Sequence, residues 1–387
     1  MKKYLIIAAA AALTLASCAK VENFSKVTVG ERAISFSNYA PKALVKADTT
    51  NYVESTTLIE DADFDVWGWY TANGTSFTGT TEPAYFGNPG TWYTVTYKTG
   101  GNADGSANVY PDGARYWPTG TTPDYLHFYA YYPSNASSIN APSGLGAFTF
   151  TAEDAAADQV DFMIADVVKD QTYDEANGNP GTNSGTDGTV ALKFRHQLAK
   201  IQVKFKTIPD IVKDLTTDIK VDSAKFGNIN NTGTLTSSYV PANDSTSTVW
   251  SAVSGTAAYD IAVPAANLDS LAANSGKKAD DIFLLVPQQM TAPVRDTNPT
   301  KDVLSDTGAQ FIDIWWTVTT NGVATHNTKR VYLDECKTTD GGNVDADIDW
   351  EKNNFVTYII TIAPNQILFT GTANNWDDEA FGYYRVF

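Results

Sequence analysis

The stretch VALKFRHQLAKIQVKFK, residues 190–206, decides the fold class of this 387-residue chain. In its first half Val190, Leu192, Phe194, His196 and Leu198 alternate with Lys193, Arg195 and Gln197, the period-2 pattern of a strand with one buried face. The phase then inverts, and Ile201, Val203 and Phe205 become the apolar set, with Lys200, Gln202, Lys204 and Lys206 between them. A one-residue slip sends every side chain to the opposite face, so residues 198–200 must be a bulge or a crossing between packing units. Their place near mid-chain favours the crossing, a seam between two β domains.

Short apolar runs of the same kind recur on both sides of that stretch. Before it, AISFSNY (33–39), FDVWGWY (64–70), WYTVTY (92–97), YLHFYAYY (125–132), FTF (148–150) and residues 160–168 read as strands rich in β-favouring aromatics. The first is ended by Pro41 and the fourth by Pro133. After it, strands are expected at 201–206, 219–226, 258–263, 282–286, 311–319, 329–333, 355–362 and 366–370, with a helix only at 265–273. Gly/Asn/Asp-rich insertions at 98–114 and 170–189 read as surface loops. Several short strands without alternating helices give an all-β chain of two tandem antiparallel sandwiches, residues 33–198 and 199–387. A composition of 43% hydrophobic and 12% aromatic residues supplies the cores, and the net charge of −17 argues against nucleic acid and anionic lipid as partners.

The N-terminus reads as a secretory signal. Lys2 and Lys3 precede an apolar core at 4–13, too short to span a membrane, and Leu15, Ala16, Ser17 and Cys18 follow. A small-residue run ending in Cys is similar to a bacterial lipobox. That resemblance implies cleavage after residue 17 and a lipidated Cys18, with residues 18–32 as a tether; the alternative is an ordinary signal peptide that contains a Cys. Removing Lys2 and Lys3 with the signal moves the net charge from −17 to −19. With Cys18 lipidated only Cys336 remains, which excludes an intramolecular disulfide framework. Its neighbours Asp334 and Glu335 disfavour a thiolate, and it reads as a small buried residue.

Catalytic chemistry finds little support. The histidines are His127, His196 and His326, of which the first two sit in strand patterns as packed or hydrogen-bonded residues. No nucleophile elbow, zinc motif, CxxC or phosphate-cradling loop occurs. Asp345, Asp347 and Asp349 alternate, but an EF-type loop starting at Asp345 would need Gly and Glu where Trp350 and Val356 stand, so no metal site and no cofactor is assigned. A glycosidase would need a pair of facing carboxylates, which the sequence does not identify. The rival function is glycan binding by exposed aromatics, with Trp67, Trp69, Tyr116, Trp117, Trp315 and Trp316 as candidates. In 64–70, Val66 and the opposite-face pair Trp67 and Trp69 cannot share one core, so some aromatic surface must meet a second layer, a loop or a partner.

The order of features, a lipobox at Cys18 followed by AISFSNY, FDVWGWY, ARYWP (114–118), YLHFYAYYP (125–133), VDFMIAD (160–166), VALKFRHQLAKIQV (190–203) and NNFVTYIITIAPNQILFTGTANNWDD (353–378), resembles the fimbrillin family of Bacteroidia, lipoprotein subunits of type V pili. The resemblance implies two transthyretin-like β-sandwich domains and export to the outer-membrane surface through a lipid (palmitate) on Cys18. It also implies proteolytic removal of the first strand and donor-strand exchange with another pilus subunit, with host or bacterial surface ligands as further partners. Here that strand would be 33–39, with Ile34 and Phe36 as inward anchors; an ordinary, permanent first strand is the alternative. The chain departs from the family's usual Arg cleavage point, because no Arg lies between Arg32 and Arg115 and the basic residues beyond the strand are Lys42 and Lys46. Cutting is expected near Lys46; without it the chain would be an uncut anchor or accessory subunit. A donor candidate is the terminal segment 380–387, in which Phe381, Tyr383, Arg385 and Phe387 would share one strand face. Folding back as an edge strand of its own domain is its alternative fate. The basic residues of 190–206 read as solvated strand faces, or as partners for the acidic run 377–379 of another subunit.

Overall fold

The computed structural model describes residues 33–39, 62–72, 74–86, 92–97, 108–109, 113–118, 124–174, 179–180, 189–207, 217–268, 282–295, 303–305, 307–340, 343–363 and 366–375. Among them the chain is all-β. The helical content of the described residues is two single 3-10 turns, Ala156–Asp158 and Leu333–Glu335, and no helix among them is long and apolar enough to cross a membrane.

The first sheet runs β1 (Ser35–Tyr39), β12 (Thr189–His196), β8 (Met163–Ala165), β5 (Tyr125–Tyr132), β2 (Asp63–Thr71), β3 (Tyr93–Tyr97), β4 (Asn108–Val109), with β9 (Val168–Gln171) also paired to β5. A second is β18 (Ile282–Leu285), β13 (Ala199–Thr207), β25 (Asn354–Ala363), β26 (Gln366–Asn375). The third is β17 (Ala257–Ile261), β14 (Thr217–Ile229), β21 (Phe311–Thr320), β22 (Val323–Tyr332). The fourth is β16 (Ser245–Ser254), β15 (Thr232–Val240), β7 (Ala147–Thr151), β6 (Ile139–Asn140). Three small ladders pair β10 (Tyr173–Asp174) with β11 (Asn179–Pro180), β19 (Val294–Arg295) with β20 (Val303–Ser305), and β23 (Lys337–Asp340) with β24 (Asn343–Asp347). Pairing is antiparallel except for β1 with β12 and β13 with β25.

The phase inversion in 190–206 is a change of sheet. β12 ends at His196 in the first sheet, β13 starts at Ala199 in the second, and Gln197 and Leu198 carry the chain across. Hydrogen bonds fix the crossing: Gln197 N–H to the Phe162 carbonyl (2.9 Å), Trp250 Nε1–H to the Gln197 carbonyl (2.7 Å), and Asn353 N–H to the Leu198 carbonyl (3.0 Å). The expectation of solvated basic faces holds for Lys193 and Arg195 and fails for Lys200, which is 3% exposed. β13 is an interior strand covered on both sides, so the Lys200 stem is enclosed and its ammonium sits 4.7 Å from the Phe355 ring centroid.

The fourth sheet takes β6 and β7 from before residue 198 and β15 and β16 from after it, and one apolar cluster runs from Trp67 and Phe148 to Ile201, Ile314 and Val356. β15 and the N-terminal half of β22 were not legible as strands, and neither was β16: TGTLTSSYV and STSTVWSAVS carry mostly Thr and Ser, so their alternation lacks apolar contrast. The helix expected at 265–273 is not present over its described part, since residues 265–268 form a bend and loop; 269–273 lie outside the described residues.

In β2 both faces are covered. Phe64 and Val66 enter one apolar cluster, Trp67 and Trp69 the other. Gly68 makes this possible, because a Cβ there would stand 2.8 Å from the Phe86 ring that lies across it. Gly68→Val is expected to lower stability by about 1–3 kcal/mol through overpacking, read as a shifted urea midpoint at unchanged slope.

Candidate functional site

The site follows from how β1 is seated. Ile34 and Phe36 alternate toward the interior and are 0% and 1% exposed. The Phe36 ring meets Phe64, Phe86 and Phe128 edge-on, at centroid distances of 6.3, 6.4 and 5.4 Å. Val190, Leu192 and Phe194, the apolar set of β12, belong to the same cluster. Each large side chain so enclosed contributes roughly 1.5–3 kcal/mol.

The backbone of β1 is held by hydrogen bonds as well. Among the described strands it pairs with β12, in a parallel register from Ser35 opposite Thr189 to Tyr39 opposite Lys193. On the other side it is gripped at its start, where Ile34 N–H bonds the Arg115 carbonyl (2.8 Å) and Ala33 bridges Tyr116. That segment is fixed by hydroxyls: Tyr93 donates to the Gly113 carbonyl, Tyr85 to the Tyr116 carbonyl, and the Arg115 guanidinium lies 4.8 Å from the Tyr93 ring centroid. A short strand whose alternate side chains enter apolar pockets has the form used in recognition by strand addition, in which main-chain bonds give affinity and alternate side chains give specificity.

Sequence reasoning named Ile34 and Phe36 but missed their hosts. Phe86 stands in a loop without strand pattern, and the role of ARYWP as a second edge leaves no periodic signal. Cys18, Lys42, Lys46, Phe381, Tyr383, Arg385 and Phe387 lie outside the described residues.

The other candidates resolve as structure. Trp67, Trp69, Trp117 and Trp316 are buried, Tyr116 is half-buried, and Trp315 alone of the six is exposed, at 39%. The expected set of surface aromatics therefore forms no sugar platform, because both faces of β2 and the inner face of β21 are covered. Cys336 is buried against Gly371, and burial pushes its thiol pKa far up, away from thiolate chemistry. Asp345 and Asp347 fall in β24, Asp349 accepts Met290 N–H at 3.1 Å, and the described residues hold no metal-ligating cluster.

His196 and Asp161 are both fully enclosed, 2.9 Å apart, at the end of β12. His127 accepts Asp170 N–H at Nδ1 (3.0 Å), so Nε2 carries the proton and donates to Thr71 Oγ1 (2.8 Å), while the ring stacks on Phe77. Burial lowers its pKa from 6.5 to about 4, against the opposing carboxylates of Asp170 and Glu82. The unfolded chain therefore takes up this proton first as pH falls, and the contribution present above pH 6.5 is lost toward pH 4. His127→Gln is expected to flatten that part of the stability profile by on the order of 2 kcal/mol, measured by urea unfolding from pH 7 to 4.

A family model described as fimbrillin-like matches residues 32–376. Among solved structures, a fimbrial protein from Bacteroides vulgatus is similar over 89% of this chain and 99% of its own, with a TM-score of 0.54 and 16% identity, which is a likeness of fold. The tip fimbrial protein Mfa3 from Porphyromonas gingivalis, with a C-terminal truncation, covers 82% of this chain and 95% of its own at a TM-score of 0.38 and 11% identity. No curated protein matches the chain.

Proposed function

The chain belongs to the fimbrillin-like family, and from that premise we propose that it is a cell-surface pilus subunit, structural and adhesive rather than catalytic, assembled by exchange of β1. On this reading Cys18 carries the lipid that holds the precursor at the outer membrane. A protease cuts near Lys46, or at Lys42, and a strand of another subunit takes the place of β1. The observation that supports the reading is the seat of Phe36: a ring on a short strand, enclosed by Phe64, Phe86 and Phe128.

The segment 380–387 offers Phe381 and Tyr383, or Tyr384 and Val386, at the i, i+2 spacing of Ile34 and Phe36. We read the chain as two β units divided at 198/199 and tied by the fourth sheet, so that loss of β1 opens the first unit and leaves the second intact. Surface-expressed protein treated with a Lys-specific protease is expected to lose residues up to 46 or 42 by mass spectrometry and to form an SDS-resistant ladder. Clean loss of the segment with only monomer remaining would contradict strand exchange.

A further inference from the structure

A cleft of about 600 Å³ lies between β16 and the segments around Gln288 and Trp350, within the size range of small-molecule sites. One wall carries Trp250 and Val253. The indole rests on Gly233, where a Cβ would stand 2.9 Å from the ring, and it meets Phe150 and Phe162 edge-on at 6.2 and 6.5 Å. Its N–H is already bonded to the Gln197 carbonyl, so Trp250 offers the cleft a fixed apolar surface and no donor.

The opposite wall is equally rigid. Gln288 and Trp350 exchange both backbone hydrogen bonds (2.8 and 2.9 Å), the Gln288 amide bonds Asn230 N–H and carbonyl (3.1 Å each), and Lys352 Nζ donates to the Thr248 carbonyl and Oγ1 (2.6 and 2.8 Å). Those groups are engaged in building the walls. Three others are not used up: Gln289 is exposed, Glu351 has only a 3.4 Å contact from Asn354, and Asp349 accepts Met290 N–H through one oxygen.

An aromatic surface beside an excess of acceptors fits a ligand with an apolar face and many hydroxyl donors. The charges decide between a neutral ligand and an ion. Asp349 and Glu351 oppose an anion. Lys352 opposes a cation, with Arg195 close enough to join burial in lowering the Lys352 pKa. We propose that this cleft binds a short neutral saccharide, stacked on Trp250 and hydrogen-bonded by Gln289, Asp349 and Glu351. The site is remote in sequence from β1 and does not depend on strand exchange.

The test is titration of the full chain with maltotriose, laminaritriose, chitotriose and mannotriose, followed by saturation-transfer NMR and calorimetry, with trilysine as the cationic control. At least one trisaccharide is expected to saturate with a Kd in the millimolar range. The double variant Gln289→Ala/Glu351→Gln, which touches no wall-building bond, should weaken it about tenfold at an unchanged Tm. Trp250→Phe should weaken it too, as a smaller ring in the same place. Absence of saturation by all four trisaccharides at about 20 mM, equal affinity in the double variant, or tighter binding of trilysine would each overturn the proposal.

Discussion

Phe36→Ala is expected to lower the unfolding free energy of the unprocessed chain by about 3–5 kcal/mol, the cost of deleting a ring from an enclosed aromatic cage. The cage is formed by Phe64, Phe86 and Phe128, which come from two strands and a loop and cannot close over the void together. Urea unfolding with an unchanged m-value would check the stability term. The same variant should also make β1 easier to displace, because, of its two buried anchors, Ile34 and Phe36, it keeps the smaller. Hydrogen exchange of residues 35–39 should then speed up more than that of β5, whose neighbours β2 and β8 flank it. Equal protection of both strands would count against a weakly held β1.

Asp161→Ala should also be damaging, at about 1–3 kcal/mol, because it takes from the enclosed His196 its 2.9 Å partner at the point where the chain changes sheets. The double variant Asp161→Ala/His196→Leu should regain most of that loss, since two apolar groups remove the unmet polar demand along with the bond. A double-mutant cycle measures the coupling directly, and additive losses would show that the pair does not act as a unit.

These two sites also show how far the sequence could be read. The alternation in 190–206 exposed both strands and the crossing because Val190, Leu192 and Phe194 face one core while Ile201, Val203 and Phe205 face another. Period-2 contrast is a local signal, and it survives wherever one face is wet. It misleads at Lys200, whose side chain is buried although its place in the alternation predicts a wet face, because an interior strand covered by its neighbours hides even a charged side chain. It fails again in β15 and β16, whose Thr and Ser carry no contrast. Long-range pairing left no trace at all: nothing in AISFSNY announces a parallel ladder to residues 189–193, and nothing near Asp161 announces His196. The anchors of the candidate site were therefore legible as residues, whereas the cage that holds them was not.

If β1 must leave its seat for subunits to join, a reversible lock on the strand should block assembly. Ser37 and Ala191 are register partners on β1 and β12, and Ala191 faces outward, so Ser37→Cys/Ala191→Cys can tie the strand to its neighbour without entering the core. Cys336 is buried and does not compete. After identical cleavage with a Lys-specific protease, the oxidised chain is expected to remain monomeric, with residues 33–39 retained through the disulfide, and dithiothreitol should release the strand and start the SDS-resistant ladder. A ladder of equal yield before and after reduction would contradict the account.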